Sequence, residues 1–390
     1  MHKIQILNNI AKEGLDRFPV DNYSLSDEMT DPIAIILRSY NMHDFLIPES
    51  VKAIARAGAG VNNIPLESMT NRGIPVFNAP GANANAVKEL TIAALLISAR
   101  NICTARDFVR SIDCDGDELK RLIESGKKKY AGIELPGRTL GVIGLGAIGV
   151  HVANAALALG MKVIGYDPKV TVNNAWKLSS GVEKVEKLED IFRRSDAVTI
   201  HVPLIPETKN LINNECLSLL KNDSILINFS RGGVISSEEV LAALDDGILR
   251  SYVCDFPEPS LIEHEKVIAL PHLGASTIEA EQNCAIMVAE NLKDYLENGN
   301  ISYSVNFPST VLPRTNAYRL TVTNRNIPNM VGQISTCLAS ADLNIEDLLN
   351  KSIGNLAYTI VDLDTVIPDS IIKHIYNIDG VLAVRNIGID

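Results

Sequence analysis

Nine consecutive residues constrain this chain more than any other feature: Gly141-Val142-Ile143-Gly144-Leu145-Gly146-Ala147-Ile148-Gly149. They hold G-x-G-x-x-G at 144, 146 and 149, after an apolar run and at the start of a helical pattern. The pattern alone is common; its place between a strand and a helix gives it meaning. Gly144 allows a tight turn. Gly146 lets backbone N–H groups approach a pyrophosphate, and Gly149 lets helix and strand pack closely. Ala147 and Ile148 open the helix, whose N-terminus carries partial positive charge. Asp167 ends the next predicted strand, 18 residues after Gly149. A carboxylate there accepts hydrogen bonds from ribose hydroxyls and repels a 2′-phosphate. Pro168 and Lys169 follow it, with no Arg, so NAD is expected rather than NADP.

The surroundings of this loop predict an α/β fold. Strand candidates at 139–144, 162–167, 196–201, 224–228, 249–254 and 266–270 alternate with helical patterns at 147–159, 186–194 and 236–246. Such alternation argues for a doubly wound parallel sheet. The first third repeats the theme, with strands expected at 3–8, 33–37 and 74–78. Residues 84–110 read as one amphipathic helix and 117–138 as a basic loop. Ser236 with Glu239, and Ser276 with Glu279, read as capping boxes; Gly299 reads as the C-cap of the second helix. Residues 306–315, with Pro308 and Pro313, read as a linker. The last segment, 316–390, reads β-α-β-β-α-β, a ferredoxin-like arrangement, with strands at 317–323, 345–353, 356–363 and 381–388. Two Rossmann-like doubly wound domains and a small C-terminal α/β unit are therefore expected.

Composition narrows the partners. With 36 Lys and Arg against 47 Asp and Glu, the net charge is −11. An acidic surface disfavours nucleic acid and anionic lipid. The most apolar stretch, 140–166, is broken by glycines and by His151, Asn154 and Lys162, so no membrane span is expected. The six Cys show no C-x-x-C and no metal-site spacing. Reduced thiols, a cytoplasmic setting and no bound metal are expected. No targeting segment is evident at the start.

Chemistry is expected at the carboxyl ends of the strands, where such sheets bind ligands. His272, in Pro271-His272-Leu273-Gly274-Ala275-Ser276-Thr277, follows the last strand of the alternating region. Arg231, in Asn228-Phe229-Ser230-Arg231-Gly232-Gly233, follows another, and its planar fork suits a carboxylate. Glu258, in Asp255-Phe256-Pro257-Glu258-Pro259, follows a third. An oxidoreductase acting on a 2-hydroxy acid needs a proton acceptor, a cation for the carboxylate and a group that tunes the acceptor.

Taken together, Gly144–Gly149, Asp167, His201-Val202-Pro203-Leu204, Ser230-Arg231-Gly232-Gly233, Glu258-Pro259 and the His272 segment resemble the D-isomer-specific 2-hydroxyacid dehydrogenase family. The resemblance spans about residues 1–305. It implies Arg231, Glu258 and His272 as catalytic residues, with His272 the acid/base, Glu258 its partner and Arg231 a substrate holder. It implies Gly144, Gly146, Ala147, Ile148, Gly149, Asp167, His201, Pro203, Thr208, Ser230, Asp255, His272 and Gly274 as contacts to NAD. It also implies a discontinuous, flavodoxin-like substrate domain, 1–95 completed by 281–305, around an NAD domain at 96–280, with the active site in the cleft between them. In one respect the chain departs from the family. Only three positions separate Asp255 from Glu258: either the loop is trimmed, or Asp255 or another carboxylate partners His272.

Two further features look like the branch of the family that oxidises 3-phospho-D-glycerate. One is Arg56-Ala57-Gly58-Ala59-Gly60, where the Ala59 and Gly60 backbone would meet a carboxylate and Arg56 a phosphate, with Arg38 adding charge. The other is the 316–390 unit, which resembles an ACT domain. Asn326 and Asn344 fall where such units bind L-serine, although Asn324 and Asn329 replace residues common in that loop. The resemblance thus implies the first step of serine biosynthesis, with serine as a possible effector and a homodimer or homotetramer as the assembly. The alternatives are a hydroxypyruvate, glyoxylate or D-lactate reductase, and a catalytically silent NAD(H)-sensing protein.

Overall fold

The computed structural model describes residues 1–315 and 317–388; positions 316, 389 and 390, at the edges of the expected C-terminal unit, lie outside the described residues. The chain divides into two compact units, Met1–Asn83 with Ile278–Asp390, and Ala84–Thr277.

The first unit opens with strands β1 (His2–Leu7), β2 (Tyr23–Ser26), β3 (Ala34–Leu37), β4 (Ala53–Arg56) and β5 (Val76–Phe77). They form a parallel sheet in the order β2-β1-β3-β4-β5, the flavodoxin-like order. Every residue of β3 is buried, as a strand covered on both faces requires.

The second unit carries β6 (Thr139–Ile143), β7 (Lys162–Tyr166), β8 (Val182–Lys184), β9 (Ala197–Ile200), β10 (Ser224–Asn228), β11 (Leu249–Cys254) and β12 (Val267–Ala269). Their order is β12-β11-β10-β9-β6-β7-β8, and all pairs are parallel. The direction of winding reverses between β6 and β9, the switch point at which such sheets bind ligands. One core includes Ile143, Ile200, Leu226 and Cys254; the other includes Leu140, Val142, Ile225, Ile227 and Val253, so alternate residues of one strand serve opposite faces.

Three local expectations need correction. Residues 84–110 form two helices, Ala84–Ala99 and Ile102–Ser111, broken where Asn101 turns left-handed (φ 51°). The expected basic loop contains a helix, Gly116–Gly126, followed by a short 3-10 turn, Lys127–Tyr130. No residue of that helix is buried; Asp117 and Glu118 complement its N-terminus and pair with Lys120 and Arg121. The capping boxes do not close. Ser236 is an N-cap without a side-chain hydrogen bond, and a Glu239 carboxylate oxygen is buried unpartnered. Ser276 donates to the His272 carbonyl (3.3 Å) instead.

The chain returns to the first unit through the helix Ile278–Asn298, which ends at Gly299 (φ 71°). Strands β13 (Tyr318–Arg325), β14 (Ile345–Ile353), β15 (Leu356–Leu363) and β16 (Val381–Ile387) follow. They pair antiparallel in the order β14-β15-β13-β16, with helices Met330–Ala339 and Asp369–Tyr376 between them. This is the ferredoxin-like arrangement. On one face, Leu320, Val322, Val361 and Leu363 pack with Ile334, Leu338 and Ile375 of those helices. On the other, Leu356, Tyr358 and Ile360 share a core with Ile4, Ile36, Phe77, Leu292 and Tyr295.

Five successive carbonyls at the end of the long helix are taken by side chains beyond it. Arg385 donates to Tyr295 and Leu296 (3.0 and 3.1 Å), and Arg314 to Glu297 (2.8 Å). Arg319 donates to Asn298 (2.9 Å), and the Tyr358 hydroxyl to Gly299 (2.7 Å). From Leu296 on these are carbonyls a helix leaves without partners of its own, while that of Tyr295 also accepts the Gly299 N–H (2.9 Å). Arg319 and Asp362, opposite each other on β13 and β15, form a fully buried bidentate pair (2.6 and 2.7 Å).

Candidate active site

The glycine-rich loop takes the conformation its sequence suggests. Gly144 adopts φ 90°, and its N–H donates to the Tyr166 carbonyl (2.9 Å). A Cβ there would lie 2.5 Å from the His201 carbonyl oxygen. A Cβ at Gly149 would lie 1.9 Å from the Gly144 carbonyl oxygen, which brings the helix Ala147–Ala158 against the loop. At Gly146, the N-cap of that helix, a Cβ would meet nothing within 4 Å. Two glycines are thus required by protein contacts, and the third faces open space. Asp167 accepts from the Leu145 and Lys169 N–H groups (both 2.8 Å), which fixes its carboxylate beside the loop. An open glycine at a helix N-terminus with a fixed carboxylate nearby fits a dinucleotide.

His201 follows β9. Its Nε2 lies 2.9 Å from the hydroxyl of buried Thr199, and burial pushes its pKa down to about 3. The ring is therefore neutral at physiological pH. Pro203 and Thr208 lie on the loop beyond it, where the Thr208 hydroxyl accepts from the Ile205 N–H (2.9 Å) and donates to the Pro203 carbonyl.

Arg231 is held by a residue the sequence reading passed over. Asn228, fully buried at the end of β10, donates to the Arg231 carbonyl (3.0 Å) and accepts from the Ser230 hydroxyl and N–H (2.7 and 3.1 Å). A polar residue directly after the apolar run 225–227 was the available signal. Asp255, at the end of β11, is buried. One of its oxygens accepts from the Gly274 N–H (3.1 Å), and the other has no partner. Burial raises its pKa; the Gly274 bond and the charges of His272 and Arg231 act in the opposite direction.

The remaining candidates divide. His272 is exposed, and its ring lies 4.4 Å from that of Phe256, centroid to centroid. The Arg231 guanidinium carbon stands 5.6 Å from the centre of the same Phe256 ring. Glu258 is not part of this group. It is exposed and precedes the short helix Pro259–Ile262 as its N-cap. Among the described residues, no carboxylate forms an ion pair with His272. The carboxylate in electrostatic reach of His272 is that of Asp255.

In the first unit, Arg56 ends β4 and its Nε donates to the Arg38 carbonyl (3.0 Å). Gly58 leaves room for its guanidinium: a Cβ there would sit 2.1 Å from Arg56 Nη1. Arg38 pairs with Glu281 (2.7 Å). The Ala59 carbonyl accepts from Asn78 (2.6 Å), and Gly60 follows in the same turn. In the C-terminal segment, Asn324, Asn326 and Asn350 line a cavity of about 160 Å³. Asn326 donates to the Gly354 carbonyl (3.1 Å), and Asn324 keeps a buried oxygen without a partner. Asn344 is exposed and lies outside that lining.

A family model for the D-isomer specific 2-hydroxyacid dehydrogenase NAD binding domain matches residues 92–274. The chain belongs to this family, and its second unit is an NAD-binding domain. A D-3-phosphoglycerate dehydrogenase of Haemophilus influenzae is 32% identical over 381 residues, 94% of this chain and 89% of that protein. One of Methanocaldococcus jannaschii is 37% identical over 324 residues, 81% of this chain and 58% of that protein. The chain spans about half the length of several other relatives that it matches, such as 54% of one from Synechocystis. Among solved structures, the NAD+-bound 3-phosphoglycerate dehydrogenase of Entamoeba histolytica has a TM-score of 0.61 at 26% identity, covering 78% of this chain and 98% of that one. The apo D-mandelate dehydrogenase of Rhodotorula graminis has a TM-score of 0.65 at 26% identity, covering 80% and 98%.

Proposed function

We propose that the chain oxidises 3-phospho-D-glycerate at C2 with NAD, giving 3-phosphohydroxypyruvate and NADH, the first step towards L-serine. The observation that carries this reading is the match to the Haemophilus influenzae D-3-phosphoglycerate dehydrogenase, which runs through the C-terminal segment as well as both parallel sheets. In this reading Arg231 grips the substrate carboxylate and the oxygen on C2, and His272 takes the hydroxyl proton. NAD, bound over Gly144–Gly149 with its ribose on Asp167, supplies the hydride acceptor. Arg56, with the Ala59–Gly60 backbone, holds the phosphate end of the substrate. His272 must be neutral for oxidation and protonated for reduction, so the two directions respond oppositely to pH.

The C-terminal segment is read as an ACT-type unit, with L-serine as effector through Asn326 and Asn344. A cytosolic homodimer or homotetramer completes the proposal. NADH formation from 3-phosphoglycerate, with and without L-serine, tests it. Turnover suppressed by serine supports both parts; turnover indifferent to serine removes the effector. Absence of turnover, with reduction of glyoxylate or hydroxypyruvate instead, moves the chain to another substrate of the same family.

A further inference from the structure

Proton transfer and carboxylate binding require His272 and Arg231 to keep a fixed spacing, because small displacements at such a site are costly in rate. Neither side chain is held by an ion pair among the described residues. Glu258 is exposed, and Asp255 gives one oxygen to the Gly274 N–H. Both side chains also lie against Phe256. Its ring lies 4.4 Å from the His272 ring at 49°, and 5.6 Å from the Arg231 guanidinium carbon. Its backbone is constrained on both sides. It follows buried Asp255 at the end of β11 and precedes Pro257, which restricts its backbone. A Cβ placed on Gly232 would just touch the Phe256 Cβ, at 3.5 Å, so the Arg231 loop rests against it.

We infer that Phe256 is a positioning residue that holds His272 and Arg231 in register, its aromatic face acting beside the Asp255 carboxylate. The inference rests on the reading of His272 and Arg231 as the pair that handles substrate. The physics is favourable. An aromatic face attracts a guanidinium and a protonated imidazole alike, through its quadrupole. A phenyl ring has two torsions and no titrating proton, so it orients both neighbours without competing for the proton His272 exchanges with substrate.

Steady-state kinetics of the full chain test this with Phe256→Leu and Phe256→Tyr. NADH binding and thermal melting report folding, and His272→Asn is the control for the underlying reading. Phe256→Leu is expected to lower kcat about tenfold and raise KM for the hydroxy acid, with KM for NAD unchanged. Phe256→Tyr, which keeps the ring, is expected to recover most of the loss. Wild-type kcat and KM in Phe256→Leu overturn the inference. So does a Tyr variant as impaired as the Leu variant, which would make the role one of packing alone. If Phe256→Leu fails to fold, Phe256→Met takes its place in the comparison. Wild-type turnover in His272→Asn would instead overturn the reading of the catalytic pair, whatever the Phe256 variants show.

Discussion

The seven-stranded parallel sheet and the four-stranded antiparallel sheet both bury two faces, by different means. The parallel sheet is covered by the helices that connect its own strands, with one core on each side. Its candidate site residues lie in the loops beyond the strand ends, where Gly144, Asp167, His201, Arg231, Asp255 and His272 are found. The antiparallel sheet has its own helices on one face only. Its other face completes the core of the first unit, and all eight residues of β15 are buried. At one end of it, Asn324 and Asn326 line a small cavity. Connectivity explains the contrast. Parallel crossovers supply both layers, whereas a ferredoxin-like chain supplies one and must find the other elsewhere.

Substitutions at three places sharpen or break this contrast. The largest effect is expected at the Arg319–Asp362 pair, on the shared face. Arg319→Met leaves a buried carboxylate uncompensated and should destabilise the first unit by about 3–5 kcal/mol. The double variant with Asp362→Leu should regain much of that. Urea denaturation measures both; equal stability of single variant and wild type would remove the pair from the account. An intermediate effect is expected in the glycine loop. Gly146→Ala points into open space, so the fold should melt as wild type while NAD affinity falls about tenfold or more. Gly149→Ala, 1.9 Å from a carbonyl, should lower the melting temperature as well. Calorimetric titration beside thermal melts separates the two.

The smallest effect is expected at Asp255. Burial raises its pKa, so its ionisation opposes folding. The penalty sets in as pH rises through the ordinary carboxylate value and is complete above the raised one. Asp255→Asn should therefore melt about 2–4 °C higher at neutral pH. That gain should fade in acid, below the ordinary carboxylate range. A difference independent of pH would place the effect in packing.

The loop that names the fold was legible because Gly144 and Gly149 answer local steric demands and Gly146 leaves the helix N-terminus open. The helix Gly116–Gly126 was not read, although Leu119, Leu122 and Ile123 stand at helical spacing, because it is short, buries no residue and runs into the Lys127–Lys129 cluster. The break at Asn101 depends on one left-handed residue within a continuous helical pattern. At the site, His272 and Arg231 could be singled out by residue type and strand-end position. The Phe256 contact could not, because it joins three loops distant in sequence. Glu258 shows the converse: a residue of the right type near a strand end, which the short loop turns outward.

The five captured carbonyls of the helix Ile278–Asn298 bear on modular exchange. A chain cut at residue 315 would lose Arg319, Tyr358 and Arg385, and with them four of those five hydrogen bonds. A chimaera carrying a foreign sensor would need equivalent donors, and an apolar strand to replace β15. In this chain the C-terminal segment is less a detachable cassette than the last structural course of the first unit, and recombination at residue 315 is expected to yield neither part intact.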